Sequence, residues 1–254
     1  MTSSAMRNPS ADGPPLGASA PLGGSAPRAA GSVGVTFFDL DHTLIPIDSD
    51  HAWGEFTVAR GWVDGESFRR ANDDFYAQYQ AGTLDIHAYI RFATAALCRQ
   101  GATNSIAAHA DFMRAIVQKA IKPQALELVQ AHQRAGDVVV IVTATNAFVT
   151  GPIAQAFGVD NLIAVDLARD PHSGWYTGAI DGVPSFREGK VTRVSEWLAA
   201  RGWGWDRVHT TFYSDSMNDL PLLERVQVPV ATNPDDRLRA LALARGWRIL
   251  DLFA

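Results

Sequence analysis

The chain has 254 residues, of which 47% are hydrophobic and 19% charged, a balance that suits one large soluble domain or a core with an insertion. A formal net charge of -5 without a Lys/Arg cluster argues against electrostatic binding to nucleic acid. The single cysteine, Cys98, excludes an intrachain disulfide framework and a cysteine-rich metal site. No apolar run reaches the roughly 18 residues of a membrane span, and the composition fits a cytoplasmic protein.

Residues 1–31 are rich in Pro, Gly, Ala and Ser and nearly devoid of aromatic residues. They cannot bury enough apolar area to offset the entropy of ordering, so a disordered tail is expected. The tail has no apolar stretch of about 7–15 residues for a secretory signal. Its only basic residues, Arg7 and Arg28, are too few for a transit peptide. From residue 33 the pattern changes. Residues 33–40 form a short, apolar strand candidate, and DVVVIVT at 137–143 is a continuous apolar run of the kind found in parallel sheets covered on both faces. A helix is expected from Pro123 to about Gly136, with proline in its first turn. Asn146 is placed to cap the next helix. Further strands are expected at 161–168, 175–180, 209–214, 227–231 and 247–252, and helices at 187–201 and 238–245. Strands alternating with helices predict an α/β fold, a doubly wound parallel sheet. Residues 47–122 break the alternation. They hold only helical patterns, at 52–60, 67–81, 86–99 and 105–119, with Cys98 in the apolar packing of one of them. The expected organisation is a core of 32–46 plus 123–254 with a helical cap of 47–122 inserted after the first strand.

Several polar residues fall where open α/β sheets place ligands, just past strand ends. Asp39 and Asp41 follow the first strand. Two carboxylates in one pocket can serve as nucleophile and proton donor if their environments differ. Thr143 ends the DVVVIVT strand, where a hydroxyl and free N–H groups suit a phosphate oxygen. Lys190, after Gly189 at a helix start, can neutralise phosphate charge. Asp215, Asn218 and Asp219 lie at another strand-to-helix junction and offer the hard oxygen ligands that Mg²⁺ prefers. Each feature also has an ordinary reading: a solvated acidic turn, a helix N-cap, a surface lysine. His42 lies between two of these residues and is a candidate lining residue.

Taken together and in order, Asp39-x-Asp41-x-Thr43, Thr143, Lys190 and Asp215-x-x-x-Asp219 resemble the four motifs of the haloacid dehalogenase superfamily, over residues 35 to about 230. The resemblance implies a Mg²⁺-dependent phosphatase with a doubly wound core. In it Asp39 attacks phosphorus, and Asp41 protonates the leaving oxygen and then activates water. Thr143 and Lys190 hold the phosphoryl oxygens. Asp39, the carbonyl of Asp41 and Asp215 bind the metal, with Asp219 and Asn218 supporting. The helical insertion is similar to the cap of the phosphoserine-phosphatase-like branch (subfamily IB). Asp48 matches the position of that branch's amine-binding acid, usually Glu, and Arg91 that of its carboxylate-binding arginine. Motif two, usually Ser-Gly-Gly, is here Thr143-Ala144-Thr145. The segment with Asp48, Asp50, Trp53 and Glu55 is more acidic and aromatic than phosphoserine requires and looks like the bacterial histidinol-phosphate phosphatases of this branch. It would suit a cationic or aromatic amine. The partner implied is a small phosphorylated, amine-bearing metabolite such as histidinol phosphate or phosphoserine. A phosphotransferase or mutase on the same scaffold, or a non-catalytic binding protein, stays open at this stage.

Overall fold

In the computed structural model residues 32–254 are described, and the tail expected over 1–31 lies outside them. Strand β1 (Val33–Phe38) leads into helices α1 (Ser49–Ala59), α2 (Gly65–Ala81) and α3 (Ile86–Phe112). The chain returns through α4 (Pro123–Arg134) to β2 (Val138–Asn146), α5 (Ala147–Ala156) and β3 (Asn161–Val165). A hairpin of β4 (Leu167–Arg169) and β5 (Tyr176–Ile180) follows, then α6 (Glu188–Ala199), β6 (Val208–Ser214), α7 (Leu220–Leu223), β7 (Val228–Thr232), α8 (Asp236–Arg245) and β8 (Arg248–Leu250).

Six strands make one parallel sheet in the order β3-β2-β1-β6-β7-β8. The chain winds outward from β1 on one side and from β6 on the other. The boundary between β1 and β6 is therefore the topological switch point, and a ligand crevice forms at the carboxyl ends of these strands. β1 shows why this sequence makes a central strand. Its side chains alternate between two faces, both apolar. Val35 and Phe37 pack into one core with Val194 and Leu198 of α6. Phe38 packs into the other with Leu128 and Val129 of α4. Both phenylalanines are fully buried, each worth roughly 1.5–3 kcal/mol. Beneath Phe38, His132 Nδ1 donates to Asp137 Oδ2 at 2.7 Å and His132 Nε2 lies 2.8 Å from the Tyr213 hydroxyl. This buried polar network ties α4 to β6.

The structure differs from the sequence expectations in two places. The strand expected at 161–168 divides, because Leu167–Arg169 leaves the sheet to pair antiparallel with Tyr176–Ile180. β2 runs on to Asn146, which pairs with Val165 after a register shift and also caps α5, its side chain accepting from Val149 N. The two helices expected at 86–99 and 105–119 are present and meet at Gly101 (φ 71, ψ 178), a conformation that favours glycine, and the second passes through a π-helical turn at Met113–Val117. Residues of helices α1–α3, termed the cap, line one cavity with Asp39, Thr143 and Asp215 at the carboxyl ends of the strands. Trp53 anchors them, buried among Phe56, Phe112 and Phe148. Trp175 of the hairpin fixes α3 by donating Nε1–H to Leu97 O at 2.9 Å. Cys98 is half-buried beside the same hairpin. Among the described residues no helix is long and apolar enough to cross a membrane.

Candidate active site

β1 ends by handing its ladder to the first catalytic candidate: Asp39 N donates to Tyr213 O at 2.9 Å. The loop beyond is tightly wound, with Leu44 N and Ile45 N both bonded to Leu40 O and His42 in the left-handed region (φ 57). Asn233 (φ 48) braces this loop. Its Nδ2 donates to His42 O at 2.8 Å, and its Oδ1 accepts from the amides of Leu252 and Phe253. A side-chain amide fits here because one residue must both donate to and accept from backbone.

Asp39 is nearly buried, 7% exposed. Its Oδ1 accepts from Lys190 Nζ at 2.8 Å and its Oδ2 lies 3.2 Å from Thr43 Oγ1. The same threonine hydroxyl lies 3.1 Å from Asp215 Oδ1 and accepts from Asp215 N. Asp39 and Asp215, from the ends of β1 and β6, thus converge on one hydroxyl. Lys190 Nζ also donates to Asp219 Oδ2 at 2.7 Å, which in turn accepts from Ser214 Oγ at 2.8 Å. Burial works against the Lys190 charge, but Asp219 and Asp39 outweigh it and raise the ammonium above the ordinary lysine value. Burial takes the Asp219 carboxyl up to about 6 against the pull of Lys190. It pushes Asp215 well above the usual range, helped by the charges of Asp39 and Asp219.

Asp41 lives differently. Its Oδ1 accepts from Ser49 N at 2.7 Å and its Oδ2 from Thr145 Oγ1 at 2.9 Å, both neutral donors. Burial, then the charge of Asp48, hold its carboxyl well above the usual carboxylate range despite the Ser49 bond. Thr143 is buried, and its hydroxyl accepts from Thr145 N at 3.1 Å.

These groups form the floor of a cavity of about 1220 Å³ between core and cap, lined by Asp39, Asp41, Thr143, Lys190, Asp215 and Asp219. His42, Asp48 and Asn218 line it too. The cap contributes aromatic side chains, Phe75, Tyr76 and Tyr89. Four expected substrate-side residues lie elsewhere. Arg91 is exposed and does not line the cavity, so its placement does not support a contact with a substrate carboxylate. Helix geometry explains why: Arg91 is two residues, about 200° of rotation, from the cavity-lining Tyr89. Trp53 is core, Asp50 is buried behind the cavity wall, and Glu55 pairs with Arg69 at the surface. Sequence reasoning also missed residues that do build the site. Thr145, named only within motif two, bonds Asp41, and Arg187, Tyr79 and Asn233 carry no local sequence signal. Thr145 sits two residues from Thr143 on the same strand face, a period-2 signal that was available.

The donor set suits a hard cation. Asp39 and Asp219 share the Lys190 ammonium, and Asp215 shares the Thr43 hydroxyl with Asp39, so three carboxyls stand beside one cation. Among the described residues no group of three or more His, Cys, Asp or Glu side chains has metal-holding geometry. A carboxylate pair with a backbone carbonyl is what Mg²⁺ takes, completing its shell with water and phosphate.

Comparison with known proteins agrees with this geometry. The family model for haloacid dehalogenase-like hydrolases matches residues 36–224. A histidinol-phosphatase of Neisseria meningitidis serogroup C is 43% identical over 218 residues, 85% of this chain and 98% of the relative. Phosphoserine phosphatase SerB1 of Mycobacterium tuberculosis is 33% identical over 256 residues, 95% of this chain and 82% of the relative. The crystal structure of a protein of unknown function from Bordetella pertussis Tohama I matches with a TM-score of 0.82 at 45% identity, covering 87% of this chain and all of that one. The chain belongs to the haloacid dehalogenase-like hydrolase family.

Proposed function

We propose that this hydrolase is a cytoplasmic phosphatase that cleaves a small amine-bearing phosphomonoester, histidinol phosphate, through an aspartyl-phosphate on Asp39. The observation that carries the reading is the unequal setting of two carboxylates in one cavity. Asp39 is braced by the Lys190 ammonium, whereas Asp41 has only neutral donors and a raised pKa. Two carboxyls in such unlike settings can divide into nucleophile and acid.

The Asp39 carboxylate attacks phosphorus, and the ester P–O bond breaks. The departing alkoxide takes the proton of Asp41. A water then attacks the aspartyl-phosphate, giving its proton to the Asp41 carboxylate, and inorganic phosphate leaves with Asp39 regenerated. Lys190 and the Thr143 hydroxyl are positioned to hold phosphoryl oxygens, and Asp219 keeps Lys190 charged and aimed. Mg²⁺, held by Asp39, Asp215 and the Asp41 carbonyl and supported by Asn218 and Asp219, would neutralise charge on the phosphoryl group.

Three features support histidinol phosphate over phosphoserine. Asp48 lines the cavity and offers a carboxylate to an amine. The aromatic cap wall of Phe75, Tyr76 and Tyr89 suits an imidazole. Arg91, the expected partner of a substrate carboxylate, does not line the cavity, and the arginines that do, Arg187 and Arg237, are bonded to the carbonyls of Gly82 and Gln80. The Neisseria relative, matched over nearly its full length, supports the same choice. The test is a steady-state panel of histidinol phosphate, phosphoserine and p-nitrophenyl phosphate, with Mg²⁺ and with EDTA. Histidinol phosphate is expected to give the highest kcat/KM, EDTA to abolish turnover, and Asp39→Ala to be inactive. Activity surviving Asp39→Ala would sink the chemistry, and a preference for phosphoserine would sink the substrate.

A further inference from the structure

Arg187 has φ 52 and ψ -124, a backbone conformation that residues with a Cβ rarely adopt. Such outliers persist where the surroundings over-determine them, and they cluster at functional sites. Here the surroundings are explicit. The side chain is half-buried and lines the cavity. Its Nε donates to Asn218 Oδ1 at 3.2 Å, and its Nη2 donates to the carbonyl of Gly82. Gly82 is the left-handed C-cap of α2 (φ 72). A Cβ there would lie 2.5 Å from Arg187 Nη2, so glycine serves both the turn and the close approach.

The same corner of the cap carries further ties to the core. The Tyr79 hydroxyl lies 2.8 Å from Ser216 Oγ, Asn218 Nδ2 donates to Tyr79 O at 3.4 Å, and the Tyr79 and Phe186 rings are 6.3 Å apart. These links join the end of α2 to residues 216–218 and to the turn before α6, and Arg237 Nη1 of α8 donates to Gln80 O at 3.4 Å. Arg187 alone touches both the cap carbonyl and the core amide with one rigid group. A guanidinium fork can span the two acceptors, and a lysine ammonium on its flexible stem cannot hold both in one geometry.

We propose that Arg187 is a positioning residue. It pins the α2 end of the cap to Asn218, and so holds the aromatic cap wall of the cavity over the phosphate-binding floor. The backbone strain is retained because only this turn brings the fork between cap and core. The kinetic consequence rests on the phosphatase reading; the pinning itself does not. With the latch lost, a substrate that reaches from floor to cap wall binds weakly, and a substrate that occupies only the floor is less affected.

Arg187→Gly separates side chain from backbone, since glycine accepts φ 52 without strain. Arg187→Lys keeps the charge and loses the fork. Both variants are expected to make amides 79–84 exchange with deuterium at least tenfold faster while the β1 and β6 amides stay protected. For histidinol phosphate kcat/KM should fall at least tenfold, chiefly through KM, and the loss with acetyl phosphate should be at least threefold smaller. Arg187→Gly should melt at or above the wild-type temperature. Unchanged exchange at 79–84, or equal losses with both substrates, overturns the proposal. Should Arg187→Gly not melt cooperatively, exchange in Arg187→Lys and Tyr79→Phe decides it. If the wild type hydrolyses neither ester, the phosphatase reading fails and the exchange result still tests the latch.

Discussion

Thr145 Oγ1 donates to Asp41 Oδ2 at 2.9 Å, joining the end of β2 to the loop after β1, 104 residues apart in the chain. With the Ser49 N–H on the other oxygen, it fixes the carboxyl in one rotamer while leaving it without a cation. Thr145→Val keeps the shape and removes the donor. It should lower kcat by about tenfold and change KM little, as expected when an interaction made by the reacting group is lost. Steady-state kinetics on histidinol phosphate would read it, and an unchanged kcat would mean that Asp41 needs no such brace.

Asp41→Asn should split the reaction in two. p-Nitrophenolate leaves without a proton, so the first step on the aryl ester survives, and no base remains to activate water. Stopped flow is expected to show a burst of about one nitrophenolate per enzyme, then turnover slower than wild type by on the order of 10² or more. Histidinol phosphate, with an alkoxide leaving group, should give no burst.

Lys190 is held by Asp39 and Asp219 while 2% exposed. Lys190→Met leaves two buried carboxylates facing each other without a cation. A loss of about 3–5 kcal/mol is expected in urea titration, because breaking a buried pair costs more than the pair was worth. Adding Asp219→Asn should recover part of it. A double variant no more stable than Lys190→Met would show that the charges are solvated there.

Asp50 is 4% exposed; its Oδ1 accepts from Asn146 Nδ2 at 3.2 Å, and the Tyr89 hydroxyl lies beside its carboxyl. Burial, then the charge of Asp48, push its carboxyl up to about 7 from 3.8. The folded state therefore binds a proton that the unfolded state has already released. Any stability linked to it is fully present below about pH 4 and is lost as pH rises through about 7. Asp50→Asn should show no such loss. Its stability relative to wild type should rise between pH 4 and 8 by up to on the order of 4 kcal/mol, measurable by calorimetry at both pH values. A difference that stays flat with pH would place the Asp50 titration outside this range.

Asp48 caps α1 through a 2.9 Å bond from His51 N and also lines the cavity. Asparagine caps a helix as well as aspartate, so Asp48→Asn should fold normally and lose only its charge. Its KM for histidinol phosphate is expected to rise about tenfold or more, whereas Arg91→Ala should leave KM within about twofold, as befits a side chain outside the cavity. The reverse pattern would assign the substrate's recognition to Arg91.

The parts of this architecture written in local sequence were legible. β1 and β2 announce themselves as short apolar runs, and Asp39, Thr143, Lys190 and Asp215 stand at strand ends or helix starts, where the fold class puts ligands. What sequence could not give was reach. Nothing near Arg187 in the chain says that its guanidinium meets Gly82, 105 residues away. Nothing near Asn233 says that it braces the carbonyl of His42, 191 residues away. The cap misled for a related reason. Trp53 and Glu55 read as an acidic, aromatic entrance, but the side on which α1 packs turned the indole into the core and the carboxylate toward Arg69.

The position of β1 between β2 and β6 also shapes how the molecule is made. Val35 pairs with Val138 and Val33 with Val208, so the strand synthesised first waits for partners that arrive much later, one after the whole helical cap and the other after the hairpin and α6. Until then VGVTFF is an unpaired apolar edge, the kind of segment that seeds aggregation. The intervening helices can form from local contacts in the meantime and shorten the loop that β1 must close. A nascent chain halted before residue 208 would have its helices and Asp39 but neither Asp215 nor Asp219, with its stickiest strand exposed on one side.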